Sequence, residues 1–368
     1  MCTSSPNSVP HGPKSVPSSG PSSAPLSAAP AAPRSTQQRW WTLLVALLLA
    51  ALPAFVSPYL QDLVLKIVIY AIFALSLELL VGTTGLISLG HAAFFGIAAY
   101  ITVLASSDSA AGSIAFLLPL AMLGAGTYAL FVGALSLRTK GVYFIMVTLA
   151  FAQMAYFIFH DTAIGGGSDG IFLAIRPALQ VTDVTLLDLE KPLHMYFFVL
   201  ACLAATYAFL AVLKRSRFGH ALAGIRANEQ RMRAAGYNTY LYKLAAFVIA
   251  AMLAGVAGFL IVAKNGTVSP ELLSWHESGA VLLMIILGGL GSLRGAVIGA
   301  AAFILLKEFY SSEAILGQLA QRWQLTLGLT MIFFVAVMPN GMIGLAAQWR
   351  QRRDGRQRPA GKKEIHHA

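Results

Sequence analysis

Charge is scarce in this chain. Only 11% of its 368 residues are Asp, Glu, Lys or Arg, while 57% are hydrophobic. Soluble domains carry about 25% charged residues, so an ordinary water-soluble globule is excluded. Cysteine is scarcer still. Cys2 lies in a polar leader and Cys202 in an apolar run, so neither a disulfide nor a metal site is expected. No Gly-x-x-x-x-Gly-Lys-Ser/Thr sequence occurs, which argues against ATP hydrolysis by this chain. Carboxylates are nearly missing from the apolar blocks, Glu78 excepted. An ion-coupled transporter working alone would be expected to hold intramembrane acids near broken helices. An intramembrane hydrolase would need a nucleophile elbow, an oxyanion hole and a third group, and no such set is visible.

Apolar blocks are what the chain does have. They are about 17–25 residues long, the length that carries a helix across a bilayer, and lipid forces such blocks to satisfy their backbone hydrogen bonds internally. Ten spans are expected at 41–57, 60–80, 86–105, 113–136, 141–160, 193–213, 243–263, 278–292, 295–311 and 322–338. The predicted class is an all-α polytopic membrane protein of about ten transmembrane helices. The third block is rich in small and polar residues and reads as a candidate broken or re-entrant span. The eighth and ninth are short and meet at the turn Gly291-Ser292-Leu293-Arg294-Gly295.

Three regions follow. Residues 1–39 form a Pro/Ser/Ala-rich tail too polar to build a core. They lack the compact basic start of a cleavable signal peptide. Residues 40–345 form the transmembrane region, and 346–368 a basic tail. With the N-terminus inside, 20 Lys and Arg fall on the cytoplasmic side and 6 on the outer side. The positive-inside rule therefore puts both termini in the cytoplasm. The net charge of +11 is then a topology signal rather than a nucleic-acid footprint. Two loops exceed mere connectors: the acidic outer loop 161–192 and the basic inner loop 214–243.

The inner loop predicts an amphipathic helix. Ser216 is placed to cap it. Phe218, Leu222 and Ile225 share one face at spacings of four and three. Glu229 and Arg233 are an i,i+4 pair in the favourable order, and Gly236 is a suitable stop. Two readings stand for this face: a helix lying in the headgroups, or a coupling helix docked on a partner protein.

The third block opens Gly82-Thr83-Thr84-Gly85-Leu86-Ile87-Ser88-Leu89-Gly90-His91-Ala92-Ala93-Phe94-Phe95-Gly96. Ser88 and His91 are three apart, so they can share a face as glue between helices or as lining of a solute path. Glu78 lies near the inner end of the second span, within reach of headgroups or of that path. Gly291, Gly295 and Gly299 repeat at four, a pattern for close helix contact. Gly165 to Gly170 reads as a flexible outer loop and not a phosphate loop, since no strand precedes it.

Together these segments resemble the permeases of branched-chain amino acid ABC importers, and the M type more than the H type of the two paired permeases. The resemblance rests on Ser88-Leu89-Gly90-His91-Ala92-Ala93-Phe94-Phe95-Gly96, on Arg138-Thr139-Lys140-Gly141-Val142-Tyr143-Phe144 with Thr148-Leu149-Ala150-Phe151, and on Gly166-Gly167-Ser168-Asp169-Gly170. It continues through Ser216 to Gly236, Tyr242 to Phe247, and Leu287 to Ser292. Arg294, where a neutral residue is expected, and the long N-terminal tail depart from the pattern.

The resemblance implies a non-catalytic permease in a bacterial inner membrane, holding no cofactor or metal. Its implied partners are a homologous second permease, two ATPase subunits that bind the ATP, a periplasmic solute-binding protein and the bilayer. Glu78, Ser88, His91, Phe94 and Phe95 are the candidate path residues. Arg217, Phe218, Gly219, Leu222, Ile225, Arg226, Asn228 and Glu229 are the candidates for coupling to the ATPases. Gly166, Gly167, Ser168, Asp169 and Gly170 form the outer loop. Branched-chain amino acids lead as solute, with urea, amides and other amino acids as alternatives.

Overall fold

The computed structural model describes residues 53, 57–106, 112–181, 184–338 and 341–344. The expected first span, 41–57, and both tails lie outside the described residues, apart from Pro53 and Ser57 within that span.

The chain is helical. The helices are α1 (Pro58–Glu78), α2 (His91–Leu104), α3 (Ile114–Ser136), α4 (Val142–Asp161), α5 (Pro192–Arg215), α6 (Arg217–Ala227) and α7 (Glu229–Ala234). After them come α8 (Thr239–Asn265), α9 (Trp275–Gly288), α10 (Leu293–Ser311), α11 (Glu313–Leu316) and α12 (Trp323–Val337). Among the described residues the short strands are β1 (Ile171–Phe172), β2 (Ala178–Val181), β3 (Val184–Asp188) and β4 (Thr267–Val268), all in loops between helices. Strand β1 pairs antiparallel with β4, and β2 with β3.

Among the described residues six helical stretches are long and apolar enough to cross a bilayer, or seven if the bent pair α9–α10 is one span. The expected eighth and ninth spans are that pair, bent by 117° at the glycine turn. The expected third span begins late, because residues 86–90 are not helical and α2 runs for only 14 residues from His91.

Two helices form the centre. The apolar window of α1 is 83% buried and that of α8 is 78%, against 22% for α4 and for α5. A helix apolar on every side and buried on every side belongs inside a bundle. Small residues let α8 fit there. A Cβ on Gly258 would collide with the carbonyl oxygen of Phe95 in α2, and one on Gly255 would crowd Ala121, Met122 and Ala125 in α3. Without a hydrophobic drive between helices in lipid, such close backbone approach is what holds them. By contrast α4 buries one stripe, Phe144, Thr148, Ala152 and Ala155, and turns Tyr143, Met146, Met154 and Phe157 outward.

The glycine ridge works inside a hairpin. Gly295 and Gly299 on α10 meet the backbone of α9, since a Cβ on Gly299 would strike the Met284 carbonyl oxygen and one on Gly288 the Gly295 carbonyl oxygen. Gly291, expected as the third member, instead takes a left-handed turn at φ 90° with open space beside it.

Candidate functional site

The inner half of α1 does not end as an ordinary helix. It widens into a π-turn, Leu79–Thr84, that Gly85 closes at φ 74°. π-Turns are rare and cluster at functional sites. Side chains here serve the loosened backbone: Thr84 Oγ1 donates to the Leu80 carbonyl at 2.6 Å, and Thr83 Oγ1 donates to the carbonyl of Leu79. The chain then runs irregularly to Gly90, and α2 starts at His91 without a cap of its own. Ser278 of α9 supplies one from a distance, its Oγ accepting from Ala92 N–H at 2.9 Å.

All five expected path residues lie in the protein interior, but not as sequence spacing paired them. Ser88 precedes the helix, and its Oγ accepts from Gly90 N–H at 3.3 Å. His91 instead meets Ser76 of α1, with Nε2 2.8 Å from Oγ. Its ring stacks on Phe73 at 5.6 Å and meets Phe94 edge-on. Phe95 stacks on Phe73 at 4.6 Å, and Phe94 packs edge-on against Phe247 of α8. Ser76 gave no sequence signal beyond being a lone hydroxyl in an apolar run. The Nδ1 of His91 is buried without a hydrogen-bond partner.

Glu78 does not reach the headgroups. It is fully buried, and Lys214 at the end of α5 donates to its Oε1 at 3.5 Å and to the Gly291 carbonyl at 3.2 Å. Glycine at 82 leaves room for this carboxyl group, since a Cβ there would sit upon it. Beside it, Arg226 of α6 donates from Nη1 to the Gly82 carbonyl. Three elements thus converge on the π-turn: the end of α5, α6, and the tip of the α9–α10 hairpin.

The loop 214–243 forms as expected at its ends and differs between them. Ser216 Oγ accepts from Gly219 N–H at 3.3 Å, a true N-cap. The single expected helix is two, because Asn228 is extended at φ −158° and starts α7 by accepting from Arg231 N–H at 2.9 Å. The apolar face expected to meet headgroups or a partner is largely covered within the chain. Leu222 and Ile225 are buried against the protein's own spans, and Phe218 stacks on Tyr242 of α8 at 5.5 Å. The sequence could not show that the π-turn and α8 would supply that surface. The outward face carries Arg217, His220, Ala223 and Ala227 instead.

Glu229 ties α7 to α8. It bonds Arg233 at 2.5 Å and Lys243 at 2.7 Å, and accepts from Thr239 Oγ1 at 3.1 Å. Partial burial pushes its carboxyl group up, but the Lys243 ammonium, Arg233 and Thr239 outweigh that and hold it down to about 2.

The glycine segment Gly165 to Gly170 folds as a tight turn. Gly166, Gly167 and Gly170 have φ of 73°, 69° and 75°. A Cβ on Gly170 would strike the Val268 carbonyl oxygen, and one on Gly165 the Phe159 carbonyl oxygen. Ser168 and Asp169 are exposed. Nearby, Tyr70 donates to Glu277 at 3.2 Å, and Lys264 pairs with Asp62 at 2.8 Å. Among the described residues no three His, Cys, Asp or Glu side chains converge as metal ligands.

Buried central helices, one of them broken around polar side chains, with the loop helix α6 seated on the break, describe a polytopic membrane protein. Residues 59–338 match the family described as the permease component of branched-chain amino acid transport systems, and the chain belongs to that family. It is an ABC-importer permease subunit. It is 29% identical over 334 residues to the high-affinity branched-chain amino acid transport system permease protein LivM of Escherichia coli K12, spanning 85% of this chain and 77% of the relative. The LivM protein of Salmonella typhimurium LT2 aligns to the same extent. The xylose transport system permease protein XylH of Escherichia coli K12 is 33% identical over 91 residues, 23% of each chain. No solved structure matches the chain.

Proposed function

We propose that this permease forms half of a translocation path for branched-chain or closely related amino acids, the other half coming from a homologous permease. A periplasmic binding protein delivers the solute, and two ATPase subunits drive alternating access from the cytoplasmic side. The likeness to LivM along most of both chains supports the solute class. The asymmetry of 20 basic residues against 6 supports cytoplasmic termini and ten spans. In this reading Glu78, Ser88, His91, Phe94 and Phe95 lie along or beside the path.

The seating of α6 carries the coupling reading. Its apolar face is spent inside the chain, so the ATPases meet the outward face: Arg217, His220, Ala223 and Ala227. Charges there fix register and reject wrong partners. ATP binding then changes transport only if the ATPases grip two permease states with different affinity. The test is co-purification of the ATPases with solubilised permease, plus uptake of labelled leucine, isoleucine, valine and urea by liposomes holding the whole transporter. His220→Glu with Ala223→Glu is expected to release the ATPases while leaving the permease folded. Retention of the ATPases would refute this docking face, and uptake of urea but not leucine would refute the solute.

A further inference from the structure

Glu78, beside the proposed path, and Arg226 sit where the loop 214–243 touches the broken span. Several contacts meet there. Lys214 is the penultimate residue of α5, three positions before the loop helix begins at Arg217, and its ammonium bridges the Glu78 carboxylate and the Gly291 carbonyl. Arg226, near the far end of α6, donates to the Gly82 carbonyl inside the π-turn. Its stem packs beside Gly85, where a Cβ would lie 3.4 Å from Cγ. The loop therefore holds the π-turn at both ends of α6, and Lys214 adds the α9–α10 hairpin to the same joint.

The physics of these contacts makes the joint responsive. A π-turn leaves carbonyls poorly served by the helix ladder, and the Gly82 carbonyl draws its charged donor from outside α1. The Glu78 Oε2 is buried with no hydrogen-bond partner, and the cation bonded to the other carboxyl oxygen is Lys214. Removing one partner of a buried ion pair leaves an uncompensated charge, which is strongly destabilising. Any shift of α6 or of the end of α5 thus alters the stability of the π-turn directly, with no intervening side chains.

We propose that Arg226 and Lys214 are positioning residues for transport, through which the cytoplasmic loop sets the conformation of the π-turn in α1 and, with it, the start of α2 and the α9–α10 hairpin. Glu78 belongs to this joint and does not touch solute. The proposal rests on the reading that the ATPases grip the loop 214–243.

The test uses the complete transporter in liposomes, with leucine uptake and ATP hydrolysis measured on the same vesicles. Arg226→Ala is expected to keep the ATPases bound and hydrolysis within about twofold, while leucine moved per ATP falls about tenfold, a typical coupling factor. Arg226→Lys, which still carries a charged donor, should restore part of the ratio. The neutral pair Glu78→Gln with Lys214→Met avoids a stranded buried charge and should show the same fall with normal assembly. An unchanged ratio in Arg226→Ala and in the neutral pair would overturn the proposal. So would release of the ATPases by Arg226→Ala, which would make Arg226 a docking contact. Failure of the underlying reading looks different: the unaltered transporter would not take up leucine, or the His220→Glu, Ala223→Glu permease would keep its ATPases.

Discussion

Ser76 Oγ lies 2.8 Å from His91 Nε2 and ties α1 to the first residue of α2. The same hydroxyl donates to the Phe73 carbonyl at 2.7 Å, so it accepts from the ring N–H. That sets the proton on Nε2 and leaves Nδ1 as the buried acceptor. Ser76→Ala removes the partner of a buried donor, which costs about 1–3 kcal/mol. A lower unfolding temperature in detergent is expected. Adding His91→Leu to Ser76→Ala should recover part of the loss, because an apolar pair of similar shape leaves nothing unsatisfied. Equal stability of Ser76→Ala and the unaltered protein would show that the contact is dispensable.

The α9–α10 hairpin offers a paired comparison. Gly299→Val places a side chain on the Met284 carbonyl, and over-packing of this kind costs about 1–3 kcal/mol or more. Lower yield of folded permease is the expected result. Gly279 sits in α9 with open space around its missing Cβ. Gly279→Ala should be neutral or gain up to about 1 kcal/mol from helix propensity. Monodispersity after solubilisation reads both, and equal behaviour of the two variants would contradict the packing described.

Acid should loosen the loop 214–243. Glu229 titrates at about 2 in the folded chain against an ordinary 4.5. A depressed carboxylate stabilises above its unfolded value, and that contribution fades as pH falls from about 4.5 toward 2. Arg233 is half exposed, so solvent screening limits the effect to about 1 kcal/mol. Limited proteolysis between Asn228 and Thr239 should quicken in Glu229→Gln at pH 7, and the difference from the parent protein should vanish near pH 2. A difference that persists there would assign the effect to something other than charge.

Sidedness is directly measurable. Ser168 is exposed in the outer turn and His220 on the outward face of α6. Ser168→Cys should react with a membrane-impermeant maleimide in intact cells. His220→Cys should react only after permeabilisation. The opposite pattern would invert the whole topology.

Hydropathy made the helical class legible, and the motif segments made the family legible. Local rules also carried well: the Ser216 cap and the Glu229–Arg233 pair stand where spacing placed them. What sequence could not show was tertiary. Ser88 and His91 looked like neighbours at three residues apart, but the helix starts between them, so His91 turned to Ser76. The face of Phe218, Leu222 and Ile225 looked free for a partner because nothing in the loop itself covers it, and its cover is the π-turn and α8. The tyrosine contacts of Glu277 in α9 and Glu308 in α10 were equally illegible, since each carboxylate accepts from a tyrosine of α1 far away in sequence.

Burial of α1 also has a consequence in time. Its charged inner residue, Glu78, finds its cation 136 positions downstream at Lys214. At ~5–20 residues per second of synthesis, that partner emerges about seven to twenty-seven seconds later. A lone carboxylate in hydrocarbon is costly, so until then Glu78 rests more favourably among the headgroups. The span buried at the centre of the protein is therefore made well before the residue that pairs with its carboxylate.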